Sequence, residues 1–251
     1  MTAKIIAVTN QKGGVGKTTT AVNLSASLGA IKKKVLLIDL DPQGNATMGS
    51  GIHKEDINFS SADILLNLSP IQDVIKKTIV GYDLLPGNSQ LIAAEVQLTR
   101  INEREYFLRR ALSGVSENYD FILIDCPPAL NILTVNALVA SVSVIIPVQC
   151  EYYALEGLAA LVGTISQLKT TVNSELQIEG LLRTMYDGRN RLTLEVSEQL
   201  MQHFPGKVYK TVIPRNVRLA EAPSHGLPAL LYDNNSQGAM AYLALAGEIC
   251  R

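Results

Sequence analysis

A glycine-rich stretch near the start of the chain constrains the fold more than any other feature. It reads QKGGVGKTT over residues 11–19, and it lies between an apolar run at residues 5–8 and a helix-like run at residues 19–28. Strand, glycine loop and helix in this order are the context of a phosphate-binding loop. Glycines can turn successive backbone N–H groups towards one anion, and the helix N-terminus adds partial positive charge. The stretch therefore predicts a nucleotide-binding α/β fold.

Two side chains of this loop have chemistry of their own. Lys17 is expected to reach the β- and γ-phosphates of a nucleotide, and the hydroxyl of Thr18 is expected to ligate Mg²⁺. The general sequence pattern of phosphate-binding loops has glycine where this chain has Gln11, and it does not require a lysine at position 12. The residues of this loop predicted to bind nucleotide are Lys12, Gly13, Gly14, Val15, Gly16, Lys17, Thr18 and Thr19.

The rest of the chain alternates between apolar, strand-like runs and helix-like runs. Strands are predicted at residues 35–39, 82–85, 119–125, 143–148, 176–185 and 208–213. Helices are predicted at residues 89–112, 154–168 and 236–249, with another ending near residue 204 and short ones within residues 46–80. With 251 residues and 47% hydrophobic content, the chain is predicted to be one α/β domain over residues 1–251. Its fold class is a doubly wound, mostly parallel sheet with helices on both faces.

Carboxylates follow two of the predicted strands. Asp39 and Asp41 come at the end of one apolar run, and Asp125 ends another. Ligands of open α/β sheets bind at the carboxyl ends of the strands, so these side chains are expected to face the glycine loop. Asp125 has the position of a Walker B carboxylate beside a magnesium site, and Asp39 is a candidate outer-sphere partner. Each of these aspartates could also simply cap a turn.

The lysine beside the first glycine defines the deviant Walker A motif KGGVGKTT at residues 12–19. With it, the sequence resembles the ParA/MinD group of P-loop ATPases and is most similar to ParA/Soj partition proteins. The resemblance covers residues 4–229 and is closest at residues 9–24, 35–49, 120–129 and 211–228. It implies a slow, partner-stimulated ATPase that uses ATP and Mg²⁺.

The resemblance also assigns roles to individual residues. Lys12, Lys17 and Asp41 become the catalytic residues, with Asp41 positioning the attacking water and Lys12 reaching the nucleotide of a partner subunit in an ATP-dependent homodimer. Thr18, Asp41 and Asp125 become the metal site. Two loops after separate strands are expected to frame the adenine, through Met185, Pro214, Arg215 and Asn216.

Charge is distributed unevenly along the chain. Residues 183–218 contain seven basic and three acidic residues, a net charge of +4, although the whole chain has a net charge of −1. Such a segment suits nonspecific, salt-sensitive contact with DNA phosphates. Arg189 and Arg218 match positions at which ParA/Soj proteins have DNA-contacting arginines, so these two residues are the predicted DNA contacts.

The expected partners are therefore a second copy of the chain, nonspecific double-stranded DNA and a ParB/Spo0J-type centromere-binding protein. No apolar run reaches the roughly 20 residues that span a bilayer, and the last helix lacks the basic flank of a membrane-surface helix. Three cysteines without metal-ligand spacing suit a reducing cytosol, so we expect a cytoplasmic, nucleoid-associated protein with no membrane contact. Three alternatives share the loop: a MinD-like membrane-associated division regulator, a ParA-like positioner of protein cargo, and an iron–sulfur reductase, whose cluster-ligand pattern Cys126 and Cys150 do not match.

Overall fold

A computed structural model describes residues 2–251 of the chain. Within this range the backbone forms one sheet of eight strands. The strands are β1 (Lys4–Val8), β2 (Val35–Asp39), β3 (Lys76–Lys77), β4 (Asp83–Leu85), β5 (Phe121–Asp125), β6 (Ser143–Gln149), β7 (Gln177–Tyr186) and β8 (Val208–Pro214). Their order in the sheet is β3-β4-β2-β5-β1-β6-β7-β8, and every pairing is parallel except that of β3 with β4. The predicted α/β fold class is confirmed.

Helices cover both faces of this sheet. The α-helices of the described residues are α1 (Lys17–Ala30), α2 (Asn45–Gly49), α3 (Ser61–Leu65), α4 (Ile71–Val74), α5 (Gln90–Leu98), α6 (Phe107–Leu112), α7 (Ile132–Ala140), α8 (Ala154–Thr171), α9 (Arg191–His203), α10 (Val217–Glu221), α11 (Ala229–Tyr232) and α12 (Gln237–Ile249). Helices α1 and α12 pack on one face together with the short α2, α10 and α11, whereas α5 to α9 pack on the other.

The alternation of side chains along the central strands divides the core into two layers. In β1, Ile6 and Val8 belong to the layer under α1 and α12, whereas Ala7 faces the opposite layer. Strands β2 and β5 are buried at every position, as expected for parallel strands covered on both faces. Apolar runs such as VLLID and FILID therefore become central strands.

The helix predicted for residues 89–112 is wrong in one respect, because two helices occupy this segment. Helix α5 ends at Leu98 and α6 begins at Phe107, with a left-handed Glu103 and a 3₁₀ turn at Arg104–Tyr106 between them. The amide of Asn136 donates to the Arg104 carbonyl at 2.9 Å and accepts from Leu108 N–H at 3.2 Å, which holds the turn. The turn lets both helices bury their leucines in the same core layer. The short antiparallel β3 was also not predicted.

Candidate nucleotide-binding site

The carboxyl ends of three central strands meet at one edge of the sheet. Asp39 at the end of β2 pairs in register with Asp125 at the end of β5, and Asp125 pairs in register with Val8 of β1. The glycine loop leaves β1 at this point and leads into α1. The sheet therefore brings the loop and the strand-end aspartates together, as the sequence predicted.

The loop itself has a backbone that suits glycine. Gly14 and Gly16 have φ angles of 74° and 87°, in the left-handed region that side chains rarely adopt. A Cβ atom at Gly13 or Gly14 would meet no atom within 4 Å, so space lies above the loop. Helix α1 begins directly after Gly16, and its first turn directs free N–H groups towards that space. An anion fits this cradle.

Lys17 lies largely buried beneath the loop, with 7% of its surface exposed. Its Nζ donates to the carbonyl of Lys12 at 3.1 Å, so the side chain curls back along the loop. Burial lowers the pKa of Lys17, and the nearby Asp125, Cys126 and Asp41 oppose this shift. Lys17 is therefore held close to the carboxylates and to the space above the glycines.

Asp125 is fully buried, and neither of its carboxylate oxygens accepts a hydrogen bond of normal geometry from the described residues, although the side chain of Thr18 lies close enough to interact with it. Burial raises the pKa of Asp125 well above its usual range, and the carboxylate of Asp39 adds to the rise; the side chain of Thr18 and the charge of Lys17 act in the opposite direction. A buried carboxylate without a partner is costly. A cation or a water held by a cation would remove that cost.

Asp39 and Asp41 shape the turn after β2. The Asp39 carboxylate accepts from the N–H and hydroxyl of Thr47, at 2.8 and 2.7 Å, and from the N–H of Asp41 at 3.1 Å. Asp41 accepts from Gln43 N–H at 2.9 Å, which leaves its second carboxylate oxygen without a hydrogen-bond partner among residues 2–251. Asp39 is therefore a structural anchor of the turn, and Asp41 both caps the turn and retains a free oxygen.

The donor set suits Mg²⁺ better than a transition metal. Within residues 2–251 no three histidine, cysteine or acidic side chains converge on one point. The oxygens of Thr18, Asp41 and Asp125 lie around the loop instead, and Mg²⁺ is commonly held by few protein oxygens together with phosphates and water. The orphaned Asp125 oxygens fit such an ion.

Lys12 has a partner that the sequence did not predict. Its Nζ donates to Glu151 at 2.7 Å, and both side chains remain more than a third exposed. Glu151 follows the end of β6, so the ion pair lies at the same edge of the sheet as the glycine loop. In a single chain Lys12 therefore points towards Glu151 and is accessible to a second molecule.

A cavity of about 400 Å³ lies beside the loop, within the size range of small-molecule sites. It collects both loops that the sequence predicted to frame an adenine. Its lining residues are Gly16, Thr19, Thr184, Met185, Ile213, Pro214, Arg215, Asn216, Val217, Leu219, Ala220 and Tyr242.

Hydrogen bonds fix this cavity to the loop from two directions. The hydroxyl of Thr184 donates to the Val15 carbonyl at 2.8 Å, which ties the end of β7 to the glycine loop. The hydroxyls of Thr20 and Tyr242 lie 3.0 Å apart, which ties α12 to α1. Neither contact carries a signal in the sequence, since Thr184 lies 169 residues from Val15 and Tyr242 lies 222 residues from Thr20.

Met185 and Asn216 contribute in different ways. Met185 has a φ of 48°, a strained backbone that turns the chain into the cavity wall. Asn216 caps α10, with its side-chain oxygen accepting from Leu219 N–H at 3.3 Å. Its Nδ2 donates no hydrogen bond to residues 2–251, so it can donate to a ligand in the cavity.

The predicted DNA-contacting arginines lie on the surface but are paired within the chain. Arg189 is 91% exposed, and two of its nitrogens donate to Asp187 at 2.9 Å. Arg218 donates to Glu221 at 2.8 Å and lies 3.2 Å from Asp233. The charge predicted for the positive segment at residues 183–218 needs one correction. Arg183 is buried and donates to Ser197 and to the Tyr209 carbonyl, so it adds nothing to the surface charge.

No helix of residues 2–251 combines the length and hydropathy needed to cross a bilayer.

Comparison with known proteins identifies close relatives along the whole chain. Residues 3–178 match the protein family described as AAA domain. The chain is 57% identical to the sporulation initiation inhibitor protein Soj of Bacillus subtilis, over 98% of each chain. It is 48% identical to the chromosome partitioning protein ParA of Myxococcus xanthus, over 99% of this chain and 88% of that one.

Among solved structures, one similar fold is cobyrinic acid a,c-diamide synthase from Mycobacterium smegmatis, determined with a bound ATP analogue and magnesium. The two chains superpose with a TM-score of 0.87 and 35% identity, covering 99% of this chain and 95% of that one. The glycine loop, the aspartates and the adenine-sized cavity thus lie in a fold that holds ATP-type ligands in that relative.

Proposed function

Because this chain belongs to the ParA/Soj family of chromosome-partitioning ATPases, we propose that it binds and hydrolyses ATP with Mg²⁺ and dimerises in the ATP state. In that state it binds double-stranded DNA without sequence preference. A ParB/Spo0J-type centromere-binding protein stimulates the slow hydrolysis and releases it. The cycle partitions chromosomes or plasmids.

The observation that carries this proposal is the buried pair of Lys17 and Asp125 beside the adenine-sized cavity. The buried ammonium of Lys17 is unfavourable by itself. The buried carboxylate of Asp125, which lacks a hydrogen bond of normal geometry, is unfavourable as well. A nucleoside triphosphate with its metal ion offsets the cost of burying Lys17 and the cost of burying Asp125 at once. The 400 Å³ cavity next to Gly16 supplies the volume for the base and ribose.

The proposed mechanism rests on positioning and charge, as phosphoryl transfer generally does. Lys17 and the loop N–H groups hold the β- and γ-phosphates. The free oxygen of Asp41 orients a water for attack on the γ-phosphate. Thr18, Asp41 and Asp125 are the residues that would hold Mg²⁺, which when bound would neutralise charge on the terminal phosphates.

Base recognition is proposed to use the two loops of the cavity. The Nδ2 atom of Asn216 is free to donate to the edge of the base, and Pro214 lies where it can pack against the ring. Met185 and Arg215 complete the wall. Thr184 holds this wall at a fixed distance from the glycine loop, so that base and phosphates are bound together.

Lys12 is proposed to leave Glu151 and contact the nucleotide of the partner subunit. An exposed ion pair contributes little stability, about 0–1 kcal/mol, so a γ-phosphate can compete for this lysine. Charge supplied across an interface acts as an arginine finger does. Dimerisation then depends on the γ-phosphate, which lies between two positive loops.

Binding of a nonspecific DNA duplex tests the proposal, measured with ATP, with ADP and without nucleotide across a salt series. We expect binding in the ATP state that weakens steeply with salt. Arg218→Glu should abolish it while ATP-dependent dimerisation persists. Lys169→Glu, which makes the same change of charge at an exposed position of α8, serves as the control for overall charge.

Two outcomes would replace the proposal. If anionic liposomes bind in the ATP state and no duplex does, the chain acts as a MinD-like membrane-associated regulator. If the duplex binds but a ParB-type partner never stimulates hydrolysis, the same DNA-dependent cycle positions a protein cargo instead.

A further inference from the structure

A second cavity lies at the opposite edge of the sheet from the nucleotide site. It has a volume of about 510 Å³ and is formed at the amino ends of β2 and β4, whereas the glycine loop lies at the carboxyl ends. Its lining residues are Lys33, Lys34, Val35, Lys77, Thr78, Gly81, Tyr82, Asp83, Asn118 and Tyr119. Lys32 and Lys76 directly flank the lining lysines in sequence.

The positive charge of this cavity is only partly compensated. Lys77 donates to Asp83 at 2.6 Å, and the Tyr119 hydroxyl donates to the same carboxylate oxygen at 2.8 Å. Lys33 and Lys34 form no salt bridge with any residue of the range 2–251. Three lysines therefore line a cavity with one carboxylate, which already has two donors; the nearby carboxylate of Asp120 accepts from the backbone N–H of Lys34 at 2.8 Å.

A purely structural role for these lysines is the capping of α1, which ends just before them. Basic side chains near a helix C-terminus can bond its last carbonyls. Here backbone N–H groups already do so: Ile31 N–H donates to Ser27, Lys32 N–H to Gly29 and Lys33 N–H to Leu28. The Nζ atoms of Lys33 and Lys34 are therefore not needed to cap α1 and remain available to a ligand.

We propose that this lysine cavity, defined by Lys33, Lys34 and Lys77, binds a small anion with several phosphate groups. Lysine is a compact point charge that suits phosphate, and the lysines come from two separate segments of the chain. The volume is far larger than the roughly 30 Å³ that one water molecule occupies, so a chain of phosphates fits better than one ion.

The cavity is connected to the nucleotide site through one element. Helix α1 has 14 residues, a length of roughly 21 Å, with the glycine loop before its first residue and Lys32 to Lys34 after its last. Close packing fixes its end, since a Cβ at Gly29 would lie 2.4 Å from the Gly81 carbonyl in the cavity wall. A bound anion thus contacts the two segments that hold the end of α1.

Isothermal titration calorimetry with sodium tripolyphosphate tests the lysine cavity, in magnesium-free buffer with saturating ADP to occupy the glycine loop. We expect one binding site per chain. Lys33→Gln combined with Lys34→Gln should weaken binding at least tenfold. The matched control, Lys54→Gln combined with Lys169→Gln, removes the same charge elsewhere and should change affinity less than twofold.

Three results would overturn the proposal. They are absence of tripolyphosphate binding, an equal loss of affinity in the control variant, and displacement of tripolyphosphate by a short DNA duplex. Displacement by DNA would assign the surface to nucleic acid.

Titration with GTP distinguishes a site for the phosphate chain alone from a site for a whole nucleotide. Affinity equal to that of tripolyphosphate means that the phosphate chain alone is bound, and higher affinity identifies a nucleotide. Thermal unfolding of each variant reports whether the fold is intact. ATP hydrolysis does not enter this test, so the lysine cavity and the proposed ATPase cycle can fail separately.

Discussion

At the residue scale, the arginines proposed to contact DNA already have acidic partners. Arg218 is shared between Glu221 and Asp233, and Arg189 forms a two-point contact with Asp187. A DNA phosphate must therefore compete with a carboxylate for each guanidinium. These acidic partners hold the arginines in position and reduce their attraction for polyanions.

Glu221→Gln should strengthen ATP-dependent DNA binding, because Arg218 loses its nearer carboxylate. An exposed ion pair is weak, so the gain should be modest, roughly threefold at low salt. The slope of log affinity against log salt should steepen by up to about one unit if one more phosphate is contacted. Fluorescence anisotropy across a salt series measures both quantities.

Glu198→Gln is the control for this substitution, since Glu198 is exposed on α9 and has no salt bridge among residues 2–251. If both variants bind DNA equally well, net charge alone accounts for the change. The pairing of Arg218 with Glu221 would then have no bearing on DNA binding.

The aspartates of the nucleotide site make stability depend on pH. Burial raises the pKa of Asp39 to about 6, although its hydrogen bonds to Thr47 and Asp41 oppose the shift. A carboxyl group whose pKa is higher in the folded state stabilises the fold when protonated. That stabilisation is complete below the unfolded value near pH 4 and is lost as the pH rises through about 6.

Thermal unfolding of the protein without nucleotide and Mg²⁺, from pH 5 to pH 8, measures this effect. We expect the melting temperature of the wild type to fall relative to that of Asp39→Asn, which cannot titrate at this position. Parallel curves for the two proteins would show that Asp39 does not change its protonation in this range.

Residue roles could be predicted from the sequence where the motif is local and not where a contact is distant. Lys17, Thr18 and the strand-end aspartates follow from a strand, a glycine loop and a second strand. The pairing of Lys12 with Glu151 joins residues 139 positions apart, so no local pattern indicates it. Arg183 looks like surface charge in the sequence and proves to be buried against Ser197.

At the scale of elements, α10 connects the 400 Å³ cavity, which is proposed to bind the base, to the proposed DNA surface. Its residues Val217, Leu219 and Ala220 line the cavity, whereas Arg218 points to Glu221 and Asp233. Asn216 caps the helix and also lines the cavity. A base that binds Asn216 therefore acts directly on the element that carries Arg218.

Two substitutions at Asn216 should separate its capping role from its ligand role. Serine retains an N-cap acceptor but lacks Nδ2, so Asn216→Ser should keep the melting temperature and weaken ATP binding several-fold. Asn216→Ala should weaken ATP binding and also cost about 1 kcal/mol of stability. Titration of a fluorescent ATP analogue together with thermal unfolding distinguishes the two.

If Asn216→Ser binds ATP as the wild type does, Nδ2 does not contact the base, and the cap is the whole contribution of this residue. If it loses as much stability as Asn216→Ala, the cap is specific to asparagine.

Element boundaries could be predicted where hydrophobic periodicity continues and failed where it stops. Strands β1, β2, β5 and β6 were predicted close to their observed ends. The break between α5 and α6 depends on Asn136, which lies on another helix and fixes the turn by two hydrogen bonds. The strand β3 has two residues, too few for any periodic pattern.

At the scale of the whole molecule, the role proposed for the exposed Lys12 makes the site complete only in a dimer. Lys12→Gln should leave ATP affinity of the monomer within a few-fold of the wild type, because Lys17 and the loop N–H groups remain. It should abolish dimerisation with a slowly hydrolysed ATP analogue. Sedimentation velocity measures the dimer, and a fluorescent nucleotide measures the affinity.

Lys169→Gln controls for the loss of one positive charge, on an exposed position of α8 far along the chain. A dimer that persists in Lys12→Gln would mean that Lys12 serves its own chain through Glu151. Loss of the dimer in both variants would point to overall charge.

The global fold followed from the alternation of apolar strands and helices, because parallel strands require helical crossovers and two covered faces. The lysine cavity could not be predicted in the same way. Lys33 and Lys34 lie just before β2, and Lys77 of β3 comes close to them only because β3 pairs antiparallel with β4.

The contact between Thr20 and Tyr242 has a consequence for how the protein is made. Strand β1 is synthesised first but lies in the middle of the sheet, and its neighbour β5 begins more than 110 residues later. The cavity wall closes only when Tyr242 reaches Thr20, which lies 222 residues earlier in the chain. At about 5–20 residues per second, synthesis takes tens of seconds. A nascent chain that has not yet reached Tyr242 therefore lacks part of this cavity wall.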